Sequence, residues 1–185
     1  MVKTMLKNST VMSRLEKTGT VSLEKAKDIG LVGMAARTCG VDLDSRFDFP
    51  DKWVEEFGFT RKTMNLKGDV NARFKLRYKE IKESISMVKK ILAKLKDYKE
   101  ESIIADGVNN KLLPDSMVIS IVEGWRGEVV HIAMTDLHSK LSRYKIKDPS
   151  FNNWYGLGLA VRNNGISDFP LCNKSFNLSY CGNDL

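Results

Sequence analysis

Residues 68–97 read GDVNARFKLRYKEIKESISMVKKILAKLKD, and this stretch decides the fold class. Val70, Phe74, Tyr78, Ile81, Ile85, Val88, Leu92 and Leu95 recur at spacings of four and three, which is one face of an α-helix. Asp69, directly after Gly68, is placed to cap the start, where its carboxylate accepts free backbone N–H groups. The pattern predicts a helix from about Asp69 to about Asp97, and a rise of about 1.5 Å per residue makes it about 40 Å long. Such a stripe needs a surface to cover it, because propensity alone seldom holds a helix in water. No second segment matches it in length and period, and the other helical candidates are short: Ser22–Ile29, ended by Gly30, then Asp51–Phe57 and Asn152–Asn163. Part of the packing partner is therefore expected outside this chain.

Downstream, Lys99–Pro114 reads as a loop, with Asp106-Gly107 and Asn109-Asn110 as turn signals. Met117–Val122 is β-branched, Gly127–Met134 is apolar and β-rich, and Leu141–Lys147 alternates less regularly, so three strands are predicted. The Thr135–Lys140 link is short enough for an antiparallel hairpin. Asp148-Pro149 ends the last strand. Phe151–Ala160 then reads as a helix whose Gly156 and Gly158 suit close packing, and the tail after Gly165 shows no period. The expected class is α+β, mainly α, with a helical part over about 1–100 and a small β plus helix part over about 115–185.

The 185 residues suit one domain or two small ones, and no run approaches the roughly 20 apolar residues of a membrane span. No signal peptide is read at the start, where Lys3, Lys7, Asn8 and Arg14 interrupt the apolar residues. Between Arg61 and Glu100 there are 13 Lys or Arg against 5 Asp or Glu, a net of +8 that accounts for the whole excess of +7. Cys39, Cys172 and Cys181 are odd in number and widely spaced, which argues against a disulfide framework.

Residue chemistry alone names few sites. His131, Asp136 and His138 lack the cysteines and spacing of a zinc site and read as a strand histidine plus an exposed turn histidine. The basic helix is open to a second reading, a binding module for nucleic acid or an acidic protein, although no aromatic residues interleave its lysines for base stacking. Arg37, Asp42, Asp44, Arg46 and Asp48 alternate with apolar residues and read as a buried ion-pair network. Gly30, Gly33 and Gly40 form no dinucleotide fingerprint, and no P-loop or Ser–His–Asp set stands in context.

Three ordered blocks carry more. LVGMAARTCGVDLDSR (Leu31–Arg46), GDVNARFKLRYKEIKESISMV (Gly68–Val88), and EGWRGEVVHIAMTD (Glu123–Asp136) with its sequel from Asp148 to Leu185 resemble the C-terminal half of nickel–iron hydrogenase large subunits. Formate-hydrogenlyase and hydrogenase-4 type subunits are similar, as is the quinone-site subunit of NADH:quinone oxidoreductase, respiratory complex I. The resemblance runs from about Thr10 onward. It implies long helices in a bundle, a small antiparallel β element and irregular C-terminal loops. It also implies a membrane-associated oxidoreductase, peripheral on the cytoplasmic side of the cell membrane, that passes electrons from or to formate, NADH, ferredoxin or quinone. The implied partners are the missing N-terminal half of the subunit, an iron–sulfur small subunit and membrane-module subunits, with no nucleic acid. A homo-oligomer through the exposed stripe is a further option. The chain is expected to be the C-terminal portion of a longer subunit.

Residues carry over in part. The family holds its nickel–iron centre with two CxxC pairs. The first pair lies upstream of this chain, and the second falls at Ser179 and Gly182, neither of which can be a thiolate. No metal is therefore expected on this chain, the isolated chain is expected to be inactive, and the iron–sulfur clusters would sit in the partner subunit. Cys172 and Cys181 are read as packing. Arg126 falls where hydrogenases keep an arginine over the metal and is the one candidate catalytic residue; Trp125 stands where the family has proline. Glu123 and Glu128 flank that loop, and Glu128 is expected to fix it. Arg73, Arg77 and Glu80 match the family's helix motif and are expected to pair with the acidic loop Asp42–Asp48. Phe176, Asn177, Leu178, Tyr180, Cys181 and Asp184 are expected to line the quinone chamber or core site, whose acceptor-binding histidine lies upstream.

Overall fold

The computed structural model describes residues 2–50, 54, 56–58, 61, 67–96 and 111–183. The Asp51–Phe57 helix and the Lys99–Pro114 loop lie mostly outside these residues, and Asp184 lies wholly outside them.

Five short helices come first: α1 Val2–Met5, α2 Ser9–Leu15, α3 Leu23–Asp28, α4 Gly33–Thr38 and α5 Ser45–Asp48. Side-chain caps start three of them, with Asn8 accepting from Val11 N–H, Ser22 from Lys25 N–H and Asp44 from Arg46 N–H. The long helix, α6, spans Val70–Leu95, close to its predicted bounds. Its cap is Asp69, whose two carboxylate oxygens accept from Ala72 N–H at 2.7 Å and Lys17 N–H at 3.0 Å. The same aspartate that starts α6 thus also fixes the chain leaving α2.

Strands β1 Met117–Glu123, β2 Glu128–Thr135 and β3 Leu141–Lys147 form an antiparallel sheet in the order β1-β2-β3. Ile119 faces Ile132 and Ala133 faces Tyr144, with a bulge at Met134/Thr135. Helix α7, Pro149–Ala160, follows at once. Asp148 caps it by accepting from Ser150 N–H, and Pro149 occupies the first turn, where its missing N–H costs nothing. The tail, aperiodic in sequence, forms a 3₁₀ turn at Ile166–Asp168, helix α8 at Phe169–Phe176 and a second 3₁₀ turn at Cys181–Asn183.

The core gathers Leu15, Val21, Ala26, Leu31, Ala36, Val70, Leu157, Cys172 and Phe176. Helices α2, α4 and α8 thus close over the first two turns of α6, with α3 packed on α4 and α7 on α8. Beyond Leu76 no residue of α6 is buried, and Ile81, Ile85, Val88, Leu92 and Leu95 stay exposed. The sheet stands to one side, touching the helices mainly where β1 meets α5.

Two glycines set close approaches. Gly33 has φ +63°, and a Cβ on it would lie 2.2 Å from the Gly127 Cα, so α4 and the β1–β2 loop touch backbone to backbone. Gly156 packs against Leu31, as expected, whereas Gly158 has open space around it and supports no packing.

Candidate functional site

Three polar systems meet around the base of α6, and each starts from a residue that the sequence singles out.

The first joins α4, α5, α6 and β1. Arg37, on the buried helix α4, donates to Glu123 at 2.7 Å and to Glu80 at 2.8 Å, and lies 3.5 Å from Asp44. Arg46 clamps Asp44 with two bonds of 2.6 and 2.8 Å and reaches Glu80 at 3.5 Å. The second Glu123 oxygen accepts from Ser45 N–H at 3.2 Å. Burial alone would lower the Arg37 pKa, but the charges of Glu80, Glu123 and Asp44 outweigh it and hold the guanidinium above its usual value. For Asp44 burial pushes the other way, and the bonds and charges of Arg46 and Arg37 win, leaving its carboxyl below the usual range. Asp42 and Asp48 pair with Arg61 on the outside of this network.

The expected partners of this network need three corrections. Glu80 belongs to it, but Arg73 and Arg77, two turns and one turn nearer the start of α6, bond to Ser175 and to backbone carbonyls instead of the acidic loop. Glu123 rather than Glu128 fixes the loop, since Glu128 meets only Lys147, at 3.7 Å. Among the described residues Glu123 is also the link that ties the sheet to the helices by ion pairing.

The second system is Arg73. Its guanidinium is fully buried and donates to Ser175 Oγ at 2.8 Å, Gly68 O at 2.8 Å and Gly19 O at 2.7 Å, with the Phe176 ring 4.3 Å beneath it. Burial pulls its pKa down to about 10, opposed by Cys39, Cys172 and Asp69 nearby. Among the described residues no carboxylate bonds to it. Neutral oxygens from three parts of the chain take its place, which is why its spacing in sequence points to the wrong partners. Cys39 and Cys172 are buried beside it, and burial raises both thiols, so neither is a ready nucleophile.

The third system holds the tail. Arg126 donates its Nε–H to the Asn177 carbonyl, at the point where Asn177 turns left-handed with φ +55° to end α8. Asn153 braces the loop from below, donating to the Arg126 carbonyl at 3.1 Å and to Val32 O at 3.3 Å. Arg77 donates to Ser175 O at 2.9 Å and lies over the Trp125 ring at 5.1 Å. Beside Arg77 and Trp125 runs an apolar groove of about 360 Å³ lined by Leu15, Val70, Phe74 and Leu171. Arg77 Nη2 is buried there without a partner among the described residues, and burial lowers the Arg77 pKa.

Ser179 and Gly182, expected from the resemblance to stand at metal-ligand positions, lie in a hydrogen-bonded knot. Ser179 N–H donates to Ser150 Oγ at 3.0 Å, Gly182 N–H donates to Ser179 Oγ at 3.0 Å, and Cys181 Sγ lies 3.3 Å from that hydroxyl. A Cβ at Gly182 would fall 2.6–2.9 Å from the Asp148 carboxyl, so a larger side chain there must displace that carboxyl. One exposed thiol, a hydroxyl and a glycine do not make the soft donor set of a nickel–iron centre. Cys181 is exposed, which overturns its reading as packing; Cys172 is fully buried, as expected. Phe176 and Leu178 are buried in the core, while Tyr180 stacks obliquely on Trp154 at 5.1 Å and faces out. The histidines do not converge: His131 bonds Tyr144, and His138 donates its backbone N–H to Asp136. Among the described residues no group of His, Cys, Asp and Glu is placed to hold a metal ion. No helix among them is long and apolar enough to cross a membrane.

Residues 1–112 match the family model described as "Respiratory-chain NADH dehydrogenase, 49 Kd subunit". An NADH-quinone oxidoreductase subunit of Geobacter sulfurreducens is 26% identical over 184 residues, covering 88% of this chain and 47% of that protein. Hydrogenase-4 component G of Escherichia coli is 31% identical over 160 residues, covering 82% of this chain and 27% of that protein. A chain from the membrane-bound sulfane sulfur reductase, an archaeal respiratory membrane complex, shares the fold with a TM-score of 0.83 at 23% identity, over 97% of this chain and 49% of that one. The chain thus spans about half, or less, of the length of the relatives it matches. By sequence and by fold, it belongs to the 49 kDa subunit family of respiratory-chain NADH dehydrogenases, in the superfamily that includes the nickel–iron hydrogenase large subunits.

Proposed function

We propose that this chain is part of the peripheral large subunit of a membrane-associated oxidoreductase complex, forming one wall of a site where electrons pass to or from an iron–sulfur partner. The observation that carries this is the clamped tail. Arg126 grips the chain at Asn177, Ser150 holds Ser179 and Ser179 holds Gly182, so residues 177–182 lie in one fixed path on the surface of α7. A fixed segment positioned by a rigid scaffold can shape a reaction site without supplying ligands. Arg126 contributes a permanent charge at its edge, and the Arg77–Trp125 groove supplies an apolar approach. Electron donors and acceptors among formate, NADH, ferredoxin and quinone fit this role, the quinone best, because its ring and tail are apolar and its oxygens accept hydrogen bonds.

The chain is a scaffold and wall rather than a metal carrier. Its purified form should contain substoichiometric nickel by elemental analysis and show neither hydrogen evolution nor quinone reduction by itself. For the assembly, an affinity tag on the chain in its native cells should recover an iron–sulfur protein and membrane subunits, with a cluster signal in the reduced sample by electron paramagnetic resonance. Recovery of the chain alone, or with stoichiometric nickel, would refute the reading.

A further inference from the structure

One inward face of α7 holds both sides of the site. Ser150 and Asn153 stand three residues apart, hence on the same face, and are 0% and 1% exposed. Ser150 Oγ accepts from Ser179 N–H at 3.0 Å and so holds the tail. Asn153 divides its amide between two other segments. Its Oδ1 accepts from Val32 N–H at 3.1 Å, and its Nδ2 donates to Val32 O at 3.3 Å and to Arg126 O at 3.1 Å. One donor and two acceptors surround the amide, and only one of its two orientations satisfies all three.

The two bonds to Val32 satisfy buried backbone at the start of α4, which is a structural duty. The third bond does something different. The Arg126–Gly127 peptide is planar, so holding its carbonyl oxygen fixes that plane. Gly124 and Gly127 close the loop with two backbone bonds of 2.8 and 3.3 Å. Together these set the direction in which the Arg126 side chain leaves the loop, and its Nε–H reaches the Asn177 carbonyl. Gly33 leaves the room this needs, since a Cβ there would fall 2.5 Å from Arg126 O. Among the described residues the Arg126 side chain makes no other hydrogen bond. The four Nη–H donors of its guanidinium fork are left for an oxygen that these residues do not supply.

We propose that Asn153 is the positioning residue for Arg126. It holds the loop peptide so that the guanidinium stays docked on Asn177 and turns its free edge toward an oxygen of the bound electron acceptor. With Ser150 one turn earlier on the same face, α7 sets the distance between the arginine loop and the tail. Loosening Asn153 leaves the charge of Arg126 in place and removes its direction, and direction is what a planar fork contributes beyond charge. The proposal rests on the reading of this region as one wall of an electron-transfer site, and adds the residue that aims its cation.

The test follows the Arg126 Nε–H by nuclear magnetic resonance in the full chain with isotope-labelled arginine, the signal assigned by its loss in Arg126→Lys. In the native chain it should exchange with solvent at least about tenfold more slowly than the Nε–H of the exposed Arg162. Asn153→Ser should speed that exchange about tenfold and shift the signal. Leu157→Ala, which weakens the same helix by opening a core cavity, should leave the signal in place. Asn153→Asp supplies a rescue. Facing two carbonyls in the interior, the new carboxyl is held above the usual range, and once protonated it copies the amide by donating to Arg126 O. The native signal should therefore be absent at neutral pH and return as pH falls toward about 5. An unprotected Nε–H in the native chain, a native signal in folded Asn153→Ser, or no return of the signal in folded Asn153→Asp would each overturn the proposal; the first needs no Asn153 variant to fold. In the assembled complex Asn153→Ser should lower kcat for a soluble quinone about tenfold with KM within about twofold. An unchanged rate beside a lost Nε–H signal would overturn the place of Arg126 in the site, not its positioning by Asn153.

Discussion

Replacing Arg37 by methionine tests the polar network at its centre. The substitution keeps most of the side-chain volume and removes the cation. In the native protein Arg37 faces Glu123, Glu80 and Asp44 at 2.7, 2.8 and 3.5 Å, and its side chain is only 7% exposed. Without it Glu123 keeps one bond, from Ser45 N–H, and loses its counterion, while Arg46 alone must serve Asp44 and Glu80. Leaving a buried charge uncompensated costs about 3–5 kcal/mol, far more than the net worth of the intact pair. For a chain of this size that is a fall of roughly 6–20 °C in melting temperature. A double-mutant cycle sharpens the test. Glu123→Gln removes the stranded carboxylate, so Arg37→Met on that background should cost at least about 1 kcal/mol less than on the native one, with both measured by urea unfolding. An Arg37→Met cost below about 1 kcal/mol, or strict additivity with Glu123→Gln, would refute the picture of a mutually dependent buried network.

The remaining expectations follow from single features. Gly33→Ala should destabilise the protein by about 2–4 kcal/mol, from the left-handed backbone and the collision with Gly127, read by thermal unfolding. The Asp44 carboxyl is held below its usual range, so the folded state binds its proton less readily than the unfolded state. Its stabilisation is therefore fully present above about pH 4 and is lost as pH falls below that; Asp44→Asn should flatten this part of an acid-unfolding curve. Gly182→Cys places a thiol where the family resemblance expects one. It must displace the Asp148 carboxyl from its bond to Ser150 N–H, so the variant should lose stability and still hold no nickel by elemental analysis.

The parts of the fold that are legible in sequence are those with a period or a cap. Asp69 and the 4–3 spacing place α6 to within two residues at either end, and a β-branched run, an apolar β-rich run and a looser alternation mark the three strands in turn. Helix α4 has no such mark, because every residue in GMAART is buried and no polar face sets it off. Helix α8 is only two turns long, too short for a period to show. Local charge alternation correctly announces a network around Arg37, Asp44 and Arg46. It cannot announce Glu123, which lies 86 positions away on a strand. A buried arginine calls for compensation, and at Arg73 that need points to acidic partners. The compensation comes instead from two backbone carbonyls and a serine hydroxyl, which have no signature in sequence. The exposure of Cys181 is hidden for a similar reason: a lone cysteine has no pattern around it to reveal which way it faces.

The reach of Arg73 also governs how the molecule comes apart. Its three acceptors belong to the α2–α3 turn, the entry to α6 and the end of α8, so none of these can open without stranding a cation in the interior. They form one foldon, whose amides exchange together and only in the rarest openings. Among the described residues the sheet is tied in at its β1–β2 end, through Glu123, the Gly33–Gly127 contact and the bonds of Arg126 to Asn177 and Asn153, so its opposite end opens as a second, weaker foldon while the helices remain closed.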